Sequence, residues 1–376
     1  MRNPLSEEIY KSRRREREED IRGPYFRDQT AIIHSLPFRR LKNKTQVFFA
    51  PQNDHVCTRI EHVLHVSTIA ATVCKGLGLD VELAQAIALG HDLGHPPFGH
   101  SGEEILNQLT GEGEFIHELH SLRVVDKLAN RGRGLNLTYA VRDGIVSHYG
   151  EEFSQKIEPR EEYKDLEKVT VRGSSPVTFE GCVVRMSDKV AYLGRDIEDA
   201  IRAGLIKEED IPDSISTELG TKNGEIIDTL VKDLIAQSRQ GEGVGFSRDR
   251  YSLMRKLKRF NYDRIYNHGR LKRYVKHSKR MLEILFEHLL ELFDNYGKNY
   301  EKYLRSPVPL DRRFGDYLKK MEGLYGREEP FDRRRIVLDY MAGMTDDYAL
   351  RCVKEVVLPE PIEFDHDWTT RKGDDE

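Results

Sequence analysis

Apolar residues recur at three- and four-residue steps over most of this chain, the spacing of one buried helix face. Val63, Val66, Ala70, Val73 and Leu77 set the pattern and predict a helix over 62–78. The same periodicity, punctuated by glycine, proline and capping residues, predicts helices near 81–92, 102–110, 118–130, 138–147, 181–203, 224–238, 247–267, 275–296, 311–325 and 332–355. Asp80 is suited to cap the helix that runs to His91-Asp92, and Ser101 opens a Ser-Gly-Glu-Glu capping box for the next one. Strand-like sequence is confined to about 168–171 and 176–179 around Gly173-Ser-Ser, which predicts a small hairpin. The expected fold class is therefore mainly α with a small β-hairpin insertion.

Length and charge narrow this picture. The chain has 376 residues, enough for one large domain, expected over 20–364, with a core at about 55–203 and a helical C-terminal part at 204–364. The ends, 1–19 and 365–376, are dominated by charge and are expected to be mobile. Lys and Arg number 60 against 64 Asp and Glu, a net charge of -4, so no global basic field points to nucleic acid. Basic clusters at 11–17 and 255–273 are read as solvated faces. The four cysteines, Cys57, Cys74, Cys182 and Cys352, are scattered without a CxxC pair, so neither a thiolate zinc motif nor a disulfide framework is indicated. No apolar stretch has the length of a membrane span, and a reducing cytoplasm is the expected compartment.

The densest chemistry lies in Ala88-Leu-Gly-His91-Asp92-Leu-Gly-His95-Pro-Pro-Phe-Gly-His100-Ser-Gly-Glu103. His91-Asp92 offers an imidazole nitrogen and a carboxylate oxygen to one ion, and the prolines and glycines then break the helix so that backbone can fold around it. Two adjacent ligands do not complete a site. Candidates from elsewhere are His62 and His65 in Arg59-Ile-Glu-His62-Val-Leu-His65, and Asp188, Tyr192 and Asp196, whose spacing of four puts them on one helix face.

These strings, with Phe38-Arg-Arg-Leu-Lys-Asn-Lys-Thr-Gln46 and Asp339-Tyr-Met-Ala-Gly-Met-Thr-Asp-Asp, resemble the deoxynucleoside triphosphate triphosphohydrolases of the HD superfamily. The resemblance runs from about residue 25 to about residue 350 and implies an HD-type helical fold. It implies metal ligands His62, His91, Asp92 and Asp188 around one divalent ion, with Mn2+ or Mg2+ in catalysis and Fe2+, Co2+, Ni2+ or Zn2+ also compatible with the donor set. The implied activity is hydrolysis of a dNTP to a deoxynucleoside and inorganic triphosphate.

The remaining roles follow from chemistry and from the same resemblance. His100 and Glu103 are suited to act as a proton-transfer dyad, the carboxylate orienting the imidazole. His117, in Phe115-Ile-His117-Glu118-Leu-His120, matches a further active-site histidine of the family, with His120 as its competitor for that place. The resemblance assigns Arg59 and Lys189 to the phosphates, His95 to the substrate, and Gln46, Tyr192 and Asp196 to the sugar. There the Tyr192 ring would crowd a 2'-hydroxyl while Asp196 and Gln46 take the 3'-hydroxyl. Implied partners are the dNTP substrate, a regulatory nucleotide, single-stranded DNA and further copies of the chain, with no membrane. Two rival readings share the four ligands. One is an HD phosphohydrolase acting on nucleoside monophosphates or a cyclic nucleotide, and the other is a nucleotide- or DNA-binding regulatory module with little turnover.

Overall fold

The computed structural model describes residues 1–49, 53, 55–111, 115–149, 153–241, 243–328 and 332–358, so the acidic tail at 365–376 lies outside the described residues. Helices dominate. In chain order they include α1 (Gly23–Ile33), α2 (Arg59–Leu77), α3 (Val81–Gly90), α4 (Gly99–Thr110), α5 (His117–Arg123), α6 (Tyr139–Val146) and α7 (Phe179–Arg202). Then follow α8 (Asn223–Gln240), α9 (Arg248–Asn261), α10 (Gly269–Tyr296), α11 (Pro309–Tyr325), α12 (Arg333–Ala342) and α13 (Asp346–Val357). Local signals set several ends. Thr58 and Glu61 form a capping box at α2, Gly78 closes that helix at φ 71°, and the Asp80 side chain accepts from the Leu83 N–H to start α3.

Two apolar clusters divide the buried residues. The first gathers α1 to α3, α6 to α9 and the connecting turns. The second packs Phe98, Ile105 and Leu106 of the α4 region and Phe115 against α10 to α13. The segment from His91 to Glu103 runs along the seam between them, and that is where the chemistry gathers.

Three expectations are corrected. The hairpin at 168–179 does not form: among the described residues the one sheet pairs β1 (Lys156–Ile157) antiparallel with β2 (Val244–Gly245). The backbone of the expected hairpin is engaged elsewhere, the Pro176 carbonyl accepting from the Arg160 N–H at 3.0 Å and the Val177 N–H donating to Asp143 at 2.7 Å. Helix α4 begins at Gly99 rather than at the Ser101 box, because Phe98 takes a left-handed φ of 68° that turns its ring into the second cluster. That conformation costs a non-glycine residue about 1–2 kcal/mol, which burial of an aromatic ring offsets. The expected 332–355 helix is broken into α12 and α13 at Gly343-Met-Thr345, where Thr345 caps α13. Within the N-terminal segment Glu7–Lys11 is helical, Tyr10 is 2% exposed, and Arg13 binds Asp28 at 2.6 Å, while most of its other residues are exposed.

Candidate metal centre and catalytic cavity

Four side chains from three helices converge at the seam. Near the start of α2 stands His62, His91-Asp92 lies at the end of α3, and Asp188 comes from the middle of α7. The Nε2 atom of His62 is 2.9 Å from Asp188 Oδ1 and 3.8 Å from Asp92 Oδ2, while His91 Nε2 is 3.4 Å from Asp92 Oδ1 and 3.9 Å from Asp188 Oδ1. All four expected ligands are thus brought together and buried.

The donor set fits a divalent ion. His91 Nδ1 lies 2.7 Å from the Ala88 carbonyl, an acceptor, so the ring proton sits there and the Nε2 lone pair faces the cluster. That buried Nε2 has no hydrogen-bond partner. A buried acceptor left unpaired is costly, and a cation between it and two carboxylates would satisfy it. Burial alone would raise the Asp92 pKa, but His91, when its ring is protonated, and the permanently charged Arg59 hold it well below the usual carboxylate range. Asp188, held down by His62 against the same burial effect, is lowered to about 2. Both carboxylates are therefore anionic, as ligands require.

Arg59, expected at the phosphates, lies behind the cluster with 1% exposure, and its Nη1 donates to Asp92 Oδ2 at 2.6 Å. It also lines the cavity, so the guanidinium fixes a ligand while facing the substrate space. His95 is likewise buried, with Nε2 3.3 Å from Asp92 Oδ1 and its ring stacked on His117 at 3.9 Å. Gly94 allows this crowding, since a Cβ there would stand 2.1 Å from the Ser121 nitrogen.

The cluster opens on a cavity of about 700 Å³ lined by Gln46, Arg59, His62, Asp92, His95, His100, Glu103, His117, Asp188, Tyr192 and Asp196, among others. All the expected site residues reach it except His91, which reaches the cluster from behind, and Lys189. Lys189 is buried, its ammonium 5.1 Å from the Phe153 ring centroid. On the same ring, at 4.6 Å, stands Lys258, which does line the cavity and was not expected from the sequence.

The expected dyad changes partner. His100 Nδ1 is 3.8 Å from Glu103 Oε2 with 56% of its side chain exposed, whereas His117 Nδ1 meets the same oxygen at 2.7 Å. Glu103 Oε1 also accepts the His117 N–H at 3.0 Å, so one carboxylate holds both the backbone and the ring at the start of α5. Burial disfavours the His117 imidazolium, but Glu103 and Glu118 outweigh it and raise the pKa to about 9. The sequence left His117 and His120 open, and the geometry separates them. His120 is buried beyond the cavity with neither ring nitrogen hydrogen-bonded, and burial drives its pKa well down.

Sequence reasoning missed four further side chains. His148, just after α6, places Nε2 3.1 Å from His117 Nε2 and Nδ1 2.6 Å from the Ile145 carbonyl, and burial with His91 and His117 lowers its pKa to about 3. Arg172 joins Glu103 at 2.5 Å and Glu118 at 3.1 Å. Tyr266, from the turn after α9, donates its hydroxyl to Asp196, whose pKa burial raises to about 7. Lys258 is the fourth. A solitary histidine in Ser147-His148-Tyr149 and a tyrosine four residues after Tyr262 were the only sequence traces of the first and third.

Comparison with known proteins agrees with this geometry. Residues 59–193 match the HD domain, and residues 244–355 match the phosphohydrolase-associated domain. A deoxyguanosinetriphosphate triphosphohydrolase-like protein of Caldanaerobacter subterraneus is 42% identical over 362 residues, 96% of this chain and 93% of that protein. Proteins of the same description from Clostridium tetani and Clostridium perfringens strain SM101 are 39% and 38% identical, covering 93% and 96% of this chain and 89% and 94% of their own. No helix among the described residues is long and apolar enough to cross a membrane. Similarity of this degree along nearly the whole chain places it in the deoxyguanosinetriphosphate triphosphohydrolase-like family of HD-domain, metal-dependent phosphohydrolases.

Proposed function

We propose that the protein hydrolyses deoxynucleoside triphosphates to a deoxynucleoside and inorganic triphosphate. The observation that carries this reading is the make-up of one cavity. The four-ligand cluster, the His117–Glu103 pair and the sugar-reading trio Gln46, Tyr192 and Asp196 all belong to it or open on it. The names of the relatives supply the substrate class.

His62, His91, Asp92 and Asp188 would hold the divalent ion, which when bound neutralises phosphoryl charge and acidifies water. The chain's own groups supply the rest. Attack of water on the α-phosphorus breaks its bond to the 5'-oxygen, and that oxygen needs a proton as it leaves. With its pKa raised to about 9, His117 is doubly protonated: its Nδ1–H donates to Glu103 and its Nε2–H faces the Nε2 lone pair of His148, which stays neutral with its own proton toward Ile145. His117 then gives its Nε2 proton to the 5'-oxygen while Glu103 steadies the ring. Arg59, Arg172 and Lys258 supply cations along the cavity for the triphosphate. At the other end the Gln46 Oε1 atom, buried without a partner in the protein, and the Asp196 carboxyl take a 3'-hydroxyl, and the Tyr192 ring occupies the space of a 2'-hydroxyl.

Product analysis tests the proposal. Each dNTP, alone and in mixtures that would expose a regulatory nucleotide, is incubated with Mn2+ or Mg2+. Triphosphate and deoxynucleoside in equal amounts are expected. Release of pyrophosphate or phosphate, or turnover of monophosphates or cyclic nucleotides alone, would overturn it.

A further inference from the structure

Between the ligand Asp92 and His100 the chain makes a turn that its own sequence would not hold. Phe98 and Gly99 are both left-handed, at φ 68° and 60°, and a bulky residue reaches that region only when its surroundings enforce it. One enforcing group comes from far along the chain. Asp346, the first residue of α13, accepts the Phe98 N–H on Oδ1 at 2.9 Å. Its Oδ2 accepts the Thr45 N–H at 2.9 Å and the Thr45 hydroxyl as well. The carboxylate is 4% exposed and does not line the cavity. A parallel tie lies beside it: the Lys44 ammonium donates to the His95 carbonyl and, at 2.8 Å, to the Ala342 carbonyl at the end of α12.

A buried carboxylate carries a desolvation cost that an apolar anchor for α13 would avoid. The three donors it collects belong to two segments, and both turn into the cavity. Thr45 precedes Gln46, and Phe98 precedes His100 by two residues and Glu103 by five. The segments also touch, since a Cβ on Gly99 would stand 2.9 Å from the Gln46 carbonyl oxygen. We infer that Asp346 is a positioning residue that locks the Gln46 segment against the 95–100 turn. Through it the phosphohydrolase-associated region sets catalytic geometry by way of a side chain that does not itself line the cavity. Its kinetic test rests on the triphosphohydrolase reading, while its structural test does not.

Asp346→Asn keeps size and shape but must point an amide NH2 at either the Phe98 or the Thr45 N–H. Thr45→Val removes the hydroxyl tie alone, and Lys354→Gln, exposed on the same helix, is the control. Four quantities are measured on each protein: thermal unfolding, Mn2+ affinity, kcat and KM for a dNTP, and hydrogen exchange across 95–103. In folded Asp346→Asn, Mn2+ affinity should be unchanged while kcat falls roughly 10- to 100-fold, the usual result of a small misplacement. Thr45→Val should lose less, and the double variant no more than Asp346→Asn. Amides from Phe98 to Gly102 should exchange faster in both variants and not in Lys354→Gln. Unchanged kcat and exchange, or a loss of Mn2+ affinity in step with kcat, would overturn the inference. Should wild type turn over no dNTP, the substrate reading fails and hydrogen exchange alone decides. Should Asp346→Asn fail to fold, Thr45→Val carries the test.

Discussion

The two ends of the cavity are built on opposite terms. At the metal end every expected ligand is buried and held: Arg59 and His95 flank Asp92, the Ala88 carbonyl orients His91, and His62 and Asp188 are 2.9 Å apart. Toward the mouth, His100 is 56% exposed, Tyr192 is half-buried, and Arg172 keeps a quarter of its surface, 26%. Concentrated charge in a buried site is stable only as a complete set, so the metal end should fail all at once. The mouth should fail by degrees, because on the proposed reading each group there would make one contact with a substrate that makes many.

The largest effect expected is therefore at the metal end. Asp92→Ala or Asp188→Ala removes an anionic ligand from an otherwise complete set, and either should abolish both bound metal and hydrolysis while the helical fold persists. Metal content, circular dichroism and turnover on the same preparation check this. Full activity at full metal content in either variant would dissolve the comparison.

Proton transfer comes next. His117→Ala should lower kcat by about 10²–10⁴-fold with metal retained, the usual range for a general acid. Glu103→Ala should do nearly the same, and the double variant should be little worse than the more damaged single one, because the pair works as a unit. His100→Ala should cost less than either, since its ring is 3.8 Å from Glu103 rather than 2.7 Å. A larger loss in His100→Ala than in His117→Ala would restore the dyad expected from sequence.

That exchange of partners marks where the sequence was legible. His91-Asp92 is adjacent in the chain and Asp188, Tyr192 and Asp196 share a helix face, so residue type and periodicity alone grouped them. The choice of His62 over His65 and the sugar roles needed family resemblance. What remained hidden depends on long-range geometry. Glu103 is three residues from His100 and fourteen from His117, yet the left-handed turn at Phe98 tips α4 so that the distant histidine receives the carboxylate. Arg172 sits in sequence that reads as a hairpin, and its two glutamate partners lie 69 and 54 residues away. The helical fold was readable from apolar spacing, whereas the seam between two cores, which places the site, was not.

A smaller effect should appear at the sugar. Tyr192→Ala opens the space beside the 2'-carbon and should narrow the preference for dGTP over GTP, chiefly by improving GTP. Asp196→Ala should instead weaken every deoxynucleotide by roughly 1–3 kcal/mol through loss of a hydrogen bond and leave the deoxy-to-ribo ratio alone. Comparing kcat/KM for dGTP, GTP and 2',3'-dideoxy-GTP on both variants separates the two roles. An unchanged ratio in Tyr192→Ala would remove the steric gate.

The smallest expected effect is one of stability, and it shows how Asp196 differs from the ligand carboxylates. Asp92 and Asp188 are pulled down by neighbouring cations, but burial raises Asp196 from 3.8 to about 7, against the opposing hydrogen bond from Tyr266. A carboxyl whose folded pKa is raised binds its proton more tightly in the native state. Its contribution to stability is thus fully present below the unfolded value and is lost as pH climbs toward 7. Asp196→Asn cannot ionise. Its melting temperature relative to wild type should therefore rise by a few degrees between pH 5 and pH 8 and flatten above, while titrations common to both proteins cancel in the difference. The scans are run with chelator so that metal release does not titrate in the same window. Removing the Tyr266 hydroxyl donor with Tyr266→Phe should move the midpoint of that curve to higher pH. A difference that stays flat from pH 5 to pH 8 would mean that Asp196 ionises like an ordinary surface carboxylate and that the sugar end is wetter than its burial implies.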